Sequence, residues 1–151
     1  MRLKYVLFSL ILAAVSGSAF AKGFKVEDVW IRAMPPISRV VPIYLTIENS
    51  SQTPMKLMSI SSNWGHVELH KSFMKKGMMR MEQVEFVAVP ANGVAKLEPE
   101  SFHGMMMDFT HGVPAKGDKV PLKLHFKNGE TIKVVAKVTM KGPAIDHSHH
   151  H

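Results

Sequence analysis

Apolar and polar residues alternate in steps of two along most of the chain beyond residue 25. The stretch 40–48 is the clearest case: Ile43, Leu45 and Ile47 alternate with Tyr44 and Thr46, the pattern of a strand with one buried face. Strands are predicted over 26–34, 40–48, 55–60, 66–73, 78–89, 94–97, 103–110, 122–127 and 131–138. Turn residues separate them. Pro35-Pro36 stops the first, Ser61-Ser62-Asn63 the third, and Gly112 with Pro114 closes the run that begins at His103. Lys75-Lys76-Gly77 and Asn128-Gly129 read as hairpin turns, the second being the stronger signal. No segment of ten or more residues carries a helical period. This spacing of short strands predicts an all-β, antiparallel Greek-key sandwich, and there is no internal repeat.

The two ends do not share the pattern. Arg2 and Lys4 precede an apolar run over 5–15, and Ala19-Phe20-Ala21 follows as a small-x-small cleavage signal. The run is well short of the ~20 residues needed to span a bilayer. Residues 1–21 are therefore expected to be a signal peptide cleaved after Ala21, with no stable membrane insertion afterwards. The domain should occupy 22–140. Residues 141–151 form a histidine-rich tail expected to be disordered.

Export gives the composition its meaning. The chain has no cysteine, which leaves no disulfide, no lipid-bearing cysteine, no thiolate metal site and no cysteine nucleophile. The formal charge is +7, but Lys123, Lys127, Lys133 and Lys137 alternate with apolar neighbours, as on solvated strand faces. With no basic cluster and an exported chain, nucleic acid is not expected as a partner.

The unusual quantity is sulfur without thiol: 12 methionines and 9 histidines stand beside no cysteine. Met55, Met58 and Met140 read as core filler. Others fall in a pattern. With Lys75 and Lys76 as central turn residues, His70 would face Met81 directly across a hairpin, with Cβ atoms about 4.5–5.5 Å apart; a bulge at Gly77 would shift that register by one. On the strand from His103, the side chains of His103, Met105 and Met107 share a face. One such His/Met pair is a common accident, but two in one small domain are harder to dismiss. Soft, neutral thioethers favour Cu(I), and imidazole accepts copper in either oxidation state. Zinc would want more imidazole or thiolate, and calcium would want carboxylates. A blue-copper centre needs a cysteine. Reversible Cu(I) binding is what these residues support.

The spacing His70-x10-Met81-x21-His103-x-Met105 resembles the signature of the periplasmic copper chaperones called PCuAC. Residues 67–70, 77–81 and 103–107 around these positions, and the upstream stretches 28–36 and 44–49, are similar to that family as well. The resemblance implies a cupredoxin-like β-sandwich that is not an enzyme. It implies that His70, Met81, His103 and Met105 hold one Cu(I). It also implies delivery to the copper-centre subunit of a respiratory haem-copper oxidase, with a Sco-type protein as a further partner, by a periplasmic monomer. His66 lies outside the signature, Met107 reads as a rim or core residue, and His111 and His125 as structural or solvent-exposed. Trp30 and Trp64 read as packing. The alternative within the same chemistry is copper sequestration for tolerance, which needs the same ligands. A histidine-brace copper oxygenase would need histidine as the first mature residue, where Lys22 is expected. In the tail, His147, His149, His150 and His151 follow Asp146, interrupted by Ser148 in a way purification tags usually are not. Such nitrogen-rich ligands predict a second site that takes Cu(II).

Overall fold

Eleven strands and no helix make up the described residues, 19–21 and 23–143, of the computed structural model. The expected signal segment up to residue 18 and the tail histidines lie outside them. The strands are β1 (Ala19–Ala21), β2 (Phe24–Arg32), β3 (Val40–Asn49), β4 (Met55–Ser61), β5 (His66–Lys75) and β6 (Met78–Gln83). They continue with β7 (Val87–Val89), β8 (Gly93–Leu97), β9 (Phe102–Met107), β10 (Lys119–Phe126) and β11 (Thr131–Thr139). Their hydrogen-bonded order is β6-β5-β9-β8-β3-β2-β11-β10-β4-β7, with β1 added to β2. Ala19–Ala21, just ahead of the expected cleavage point, thus pairs with residues 24–26. Most pairings are antiparallel, but β11 runs parallel to β2 and Leu97 meets Phe102 in a parallel bridge, so the sheet is mixed.

The alternation decides which side chains enter the core. Ile43 and Ile47 of β3 are fully buried, as are Ile31, Leu57, Leu124, Val138 and Met106 from neighbouring strands. Methionine contributes to this core through Met106. Of the three methionines expected as filler, Met55 packs against the core from its edge, whereas Met58 and Met140 are exposed.

Three local features differ from the sequence expectation. The single strand expected over 78–89 is two: β6 pairs with β5, while β7 pairs with β4, so the run changes neighbours at residues 84–86. The strand from His103 ends at Met107, because Asp108 adopts a left-handed φ of 51°. The hairpin between β10 and β11 closes through three residues, with Phe126 and Glu130 hydrogen-bonded and Gly129 left-handed at φ 88°. That is a glycine-bulge loop, the commonest three-residue solution.

The turn between β5 and β6 matters most for the site. Lys75 pairs with Met78, so the two central residues are Lys76 and Gly77, with φ of 51° and 74°. Two left-handed residues make a type I′ turn, whose twist suits a two-residue hairpin. His70 therefore faces Gln83, and Met81 faces Ser72; the direct His70–Met81 pairing expected from a Lys75-Lys76 turn does not form. The displacement is two residues, and side chains repeat with a period of two, so Met81 remains on the face of His70.

Candidate metal centre

β5 is the axis of the site, flanked by β6 and β9. Across β5 and β9, His70 pairs with His103, Glu68 with Met105, and His66 with Met107. Paired residues share a face, and so do residues two apart on one strand. The face thus carries His70, His103, Met105 and Met81 together, and it is the face turned away from the core. The intervening residues Val67, Leu69 and Met106 point inward and are buried. Gly104 keeps β9 close to this core: a Cβ there would stand 3.1 Å from that of Ile43. Met81 sits diagonally from His70, at about 7–8 Å between backbones, within reach of a long side chain.

The two imidazoles lie side by side, with ring centroids 6.1 Å apart and planes 27° from parallel. Each ring has one nitrogen held. In His103, which is only 5% exposed, Nδ1–H donates to the Ser101 carbonyl at 2.9 Å. That bond fixes the tautomer and leaves the lone pair on Nε2. In His70, Nε2–H donates to Glu68 Oε2 at 2.9 Å, and Nδ1 is buried with no hydrogen-bond partner. A buried nitrogen lone pair without a donor is costly in an apo protein and suits a metal ligand. The carboxylate behind the imidazole is the arrangement that orients metal-binding histidines and raises their basicity.

Glu68 was not singled out by the sequence reading, although its place in His66-x-Glu68-x-His70 puts all three side chains on one face of a strand. His66 Nε2 approaches the other carboxylate oxygen at 3.5 Å. The hydrogen bond from His70 holds the Glu68 carboxyl below the usual carboxylate range, with burial working against it. Tyr44 was also missed. It lies one residue beyond the last β3–β9 pair and on the outer face with Pro42, which pairs with Met105. Its ring packs 4.8 Å from that of Trp30, and the Arg32 guanidinium stands over both. Burial raises the Tyr44 pKa, and Arg32 partly offsets that.

Other singled-out residues stand apart. Met107 shares the face, opposite His66, and is half-buried. His125 bonds Ser61 Oγ at 2.7 Å, and His111 packs edge-on against Trp64. Neither is paired with the facing imidazoles in the sheet. The tail residues His147, His149, His150 and His151 lie outside the described residues. Among the described residues, no three His, Asp or Glu side chains converge as a metal-binding group.

The model of the LpqE-like lipoprotein family matches residues 24–138, most of the chain. The chain belongs to this family, the PCuAC family. Solved PCuAC structures have the same cupredoxin-like β fold. The copper-bound PCuAC domain of PmoF2 is 18% identical with a TM-score of 0.67, covering 82% of this chain and 98% of that domain. Apo-DR1885 from Deinococcus radiodurans is 26% identical with a TM-score of 0.61, covering 93% and 95%. Its Cu(I) form is 27% identical with a TM-score of 0.58, over 75% and 76%. No curated protein matches the chain in sequence. The likeness to PmoF2 carries the fold; the ligand geometry above comes from this chain's own residues.

Proposed function

We propose that this PCuAC-family domain is a periplasmic copper chaperone that holds one Cu(I) through His70, Met81, His103 and Met105. It would deliver the ion to the copper-centre subunit of a haem-copper oxidase, with a Sco-type protein as a further partner. The observation that carries the metal site is the pair of opposed imidazoles. Each has one nitrogen tied back, to Glu68 or to Ser101, which leaves the lone pair on the other, Nδ1 of His70 and Nε2 of His103, with Met105 and Met81 on the same face. Two imidazoles fix the ion, and two neutral thioethers favour its reduced state. The site lies on an exposed edge of the sheet, and Met81 is 57% exposed. An acceptor can therefore replace ligands one at a time, starting with Met81, without the ion entering water. DR1885 has been solved with Cu(I) and PmoF2 with copper, which supports the same cargo here.

Changing Met81 and His103 together to alanine should abolish tight Cu(I) binding, measured by competition with a chromophoric chelator, while the β-sheet circular dichroism persists. Unchanged affinity and stoichiometry would refute the ligand assignment. Incubating the Cu(I) protein with an apo oxidase copper-centre fragment tests delivery; retention of copper by the chaperone would point to sequestration instead.

A further inference from the structure

The hairpin of β5 and β6 is two-faced. One face carries Lys71, Phe73, Lys75, Arg80 and Glu82, and also Met78, which pairs with Lys75 and is exposed. The other carries His70, Ser72, Met74, Met79, Met81 and Gln83, with the Glu68 carboxylate at its far end beside His70. Met74 pairs directly with Met79, and Met79 is two residues from Met81 on the same strand. These three thioethers are 62%, 48% and 57% exposed. Core packing explains none of them: every residue of β6 is exposed, and Met74 is exposed at the end of β5. Exposed methionines on an edge strand are a liability unless they are used.

We propose that Met74 and Met79 form a second, weaker Cu(I) station at the hairpin tip, linked to the imidazole site through Met81. The opposed pair places Cβ atoms about 4.5–5.5 Å apart, and two flexible thioethers at that spacing can converge on one soft ion. Without imidazole, the station binds less firmly than the inner site and is unaffected by histidine protonation. Ligand exchange at Met81 then moves the ion one step between tip and inner site, with no change in oxidation state. The inference rests on the proposed inner site only through the role of Met81.

The test is an anaerobic Cu(I) titration of the full chain, labelled with ¹³C at the methionine methyl groups. This readout is insensitive to the tail, which contains no methionine. The first equivalent should shift the methyls of Met81 and Met105, and the second those of Met74 and Met79. Met74→Leu with Met79→Leu should remove the second response, leave the first intact, and slow transfer to a small chelator several-fold. Met74 and Met79 methyls that stay unmoved through two equivalents would overturn the station. If the variant then slowed transfer only to a protein acceptor, the face would be a docking surface and no metal station. A response at Met74 and Met79 with none at Met105 would uphold the tip and overturn the inner site, so the two failures are distinguishable.

Discussion

Glu68 is the residue on which the geometry of His70 depends. Its carboxylate accepts the Nε2–H bond that turns Nδ1 into the ring's acceptor nitrogen. Removing such an outer partner typically costs about 10–100-fold in metal affinity. Glu68→Ala should weaken Cu(I) binding by about that factor in chelator competition, while Glu68→Gln, whose amide oxygen still accepts the bond, should cost less. Tyr44 supplies a pH prediction with a definite sign. Burial raises its folded pKa, whereas the unfolded phenol titrates near 10. Between those values the folded state keeps a proton that the unfolded state has lost, so stability falls as pH rises past about 10. Below about 10 the contribution is complete. Urea midpoints for the wild type and Tyr44→Phe should show a steeper alkaline decline in the wild type.

At the scale of the element, the register of one hairpin decides whether Met81 shares the face of His70. A sheet side chain changes face with each single-residue shift. Inserting one residue between Lys76 and Gly77 should therefore move Met81 to the face of Arg80 or force a bulge. Cu(I) affinity should drop sharply while thermal stability changes little, since β6 buries no side chain. Unaltered affinity with an altered turn would mean that Met81 is not held by this register. The inward neighbours of the ligands, Val67, Leu69 and Met106, explain the persistence of the rest: they anchor β5 and β9 in the core.

For the whole molecule, the remaining question is the tail. Gly142 passes tightly over the Trp30 indole, where a Cβ would stand 2.9 Å from Cζ2, so a truncation after Ile145 leaves that contact in place. The tail histidines are proposed to bind Cu(II) through nitrogen and to be independent of the inner site. Truncation after Ile145 should remove one Cu(II) equivalent from a calorimetric titration and leave Cu(I) binding almost unchanged. Loss of Cu(I) binding, or undiminished Cu(II) uptake, would sink the two-site arrangement.

The period-two alternation by itself determined the all-β character, most strand positions and the shared face of His103 and Met105, because burial of one sheet face acts on every second residue. It did not determine the turn. Lys75-Lys76 and Lys76-Gly77 are both plausible centres locally, and the choice rests on which residues accept left-handed backbone beside a twisted strand pair. Nor did alternation reveal that residues 78–89 serve two different strands, since β6 and β7 differ only in what lies against them. The placement of His70 directly beside His103 was likewise hidden, because β5 and β9 are 26 residues apart at their closest (Lys75 to Phe102 excluded ends) and only sheet order brings them together. Sequence supplied the histidines and methionines; the pairing of β5 with β9 and with β6 put His70, His103, Met105 and Met81 on one face.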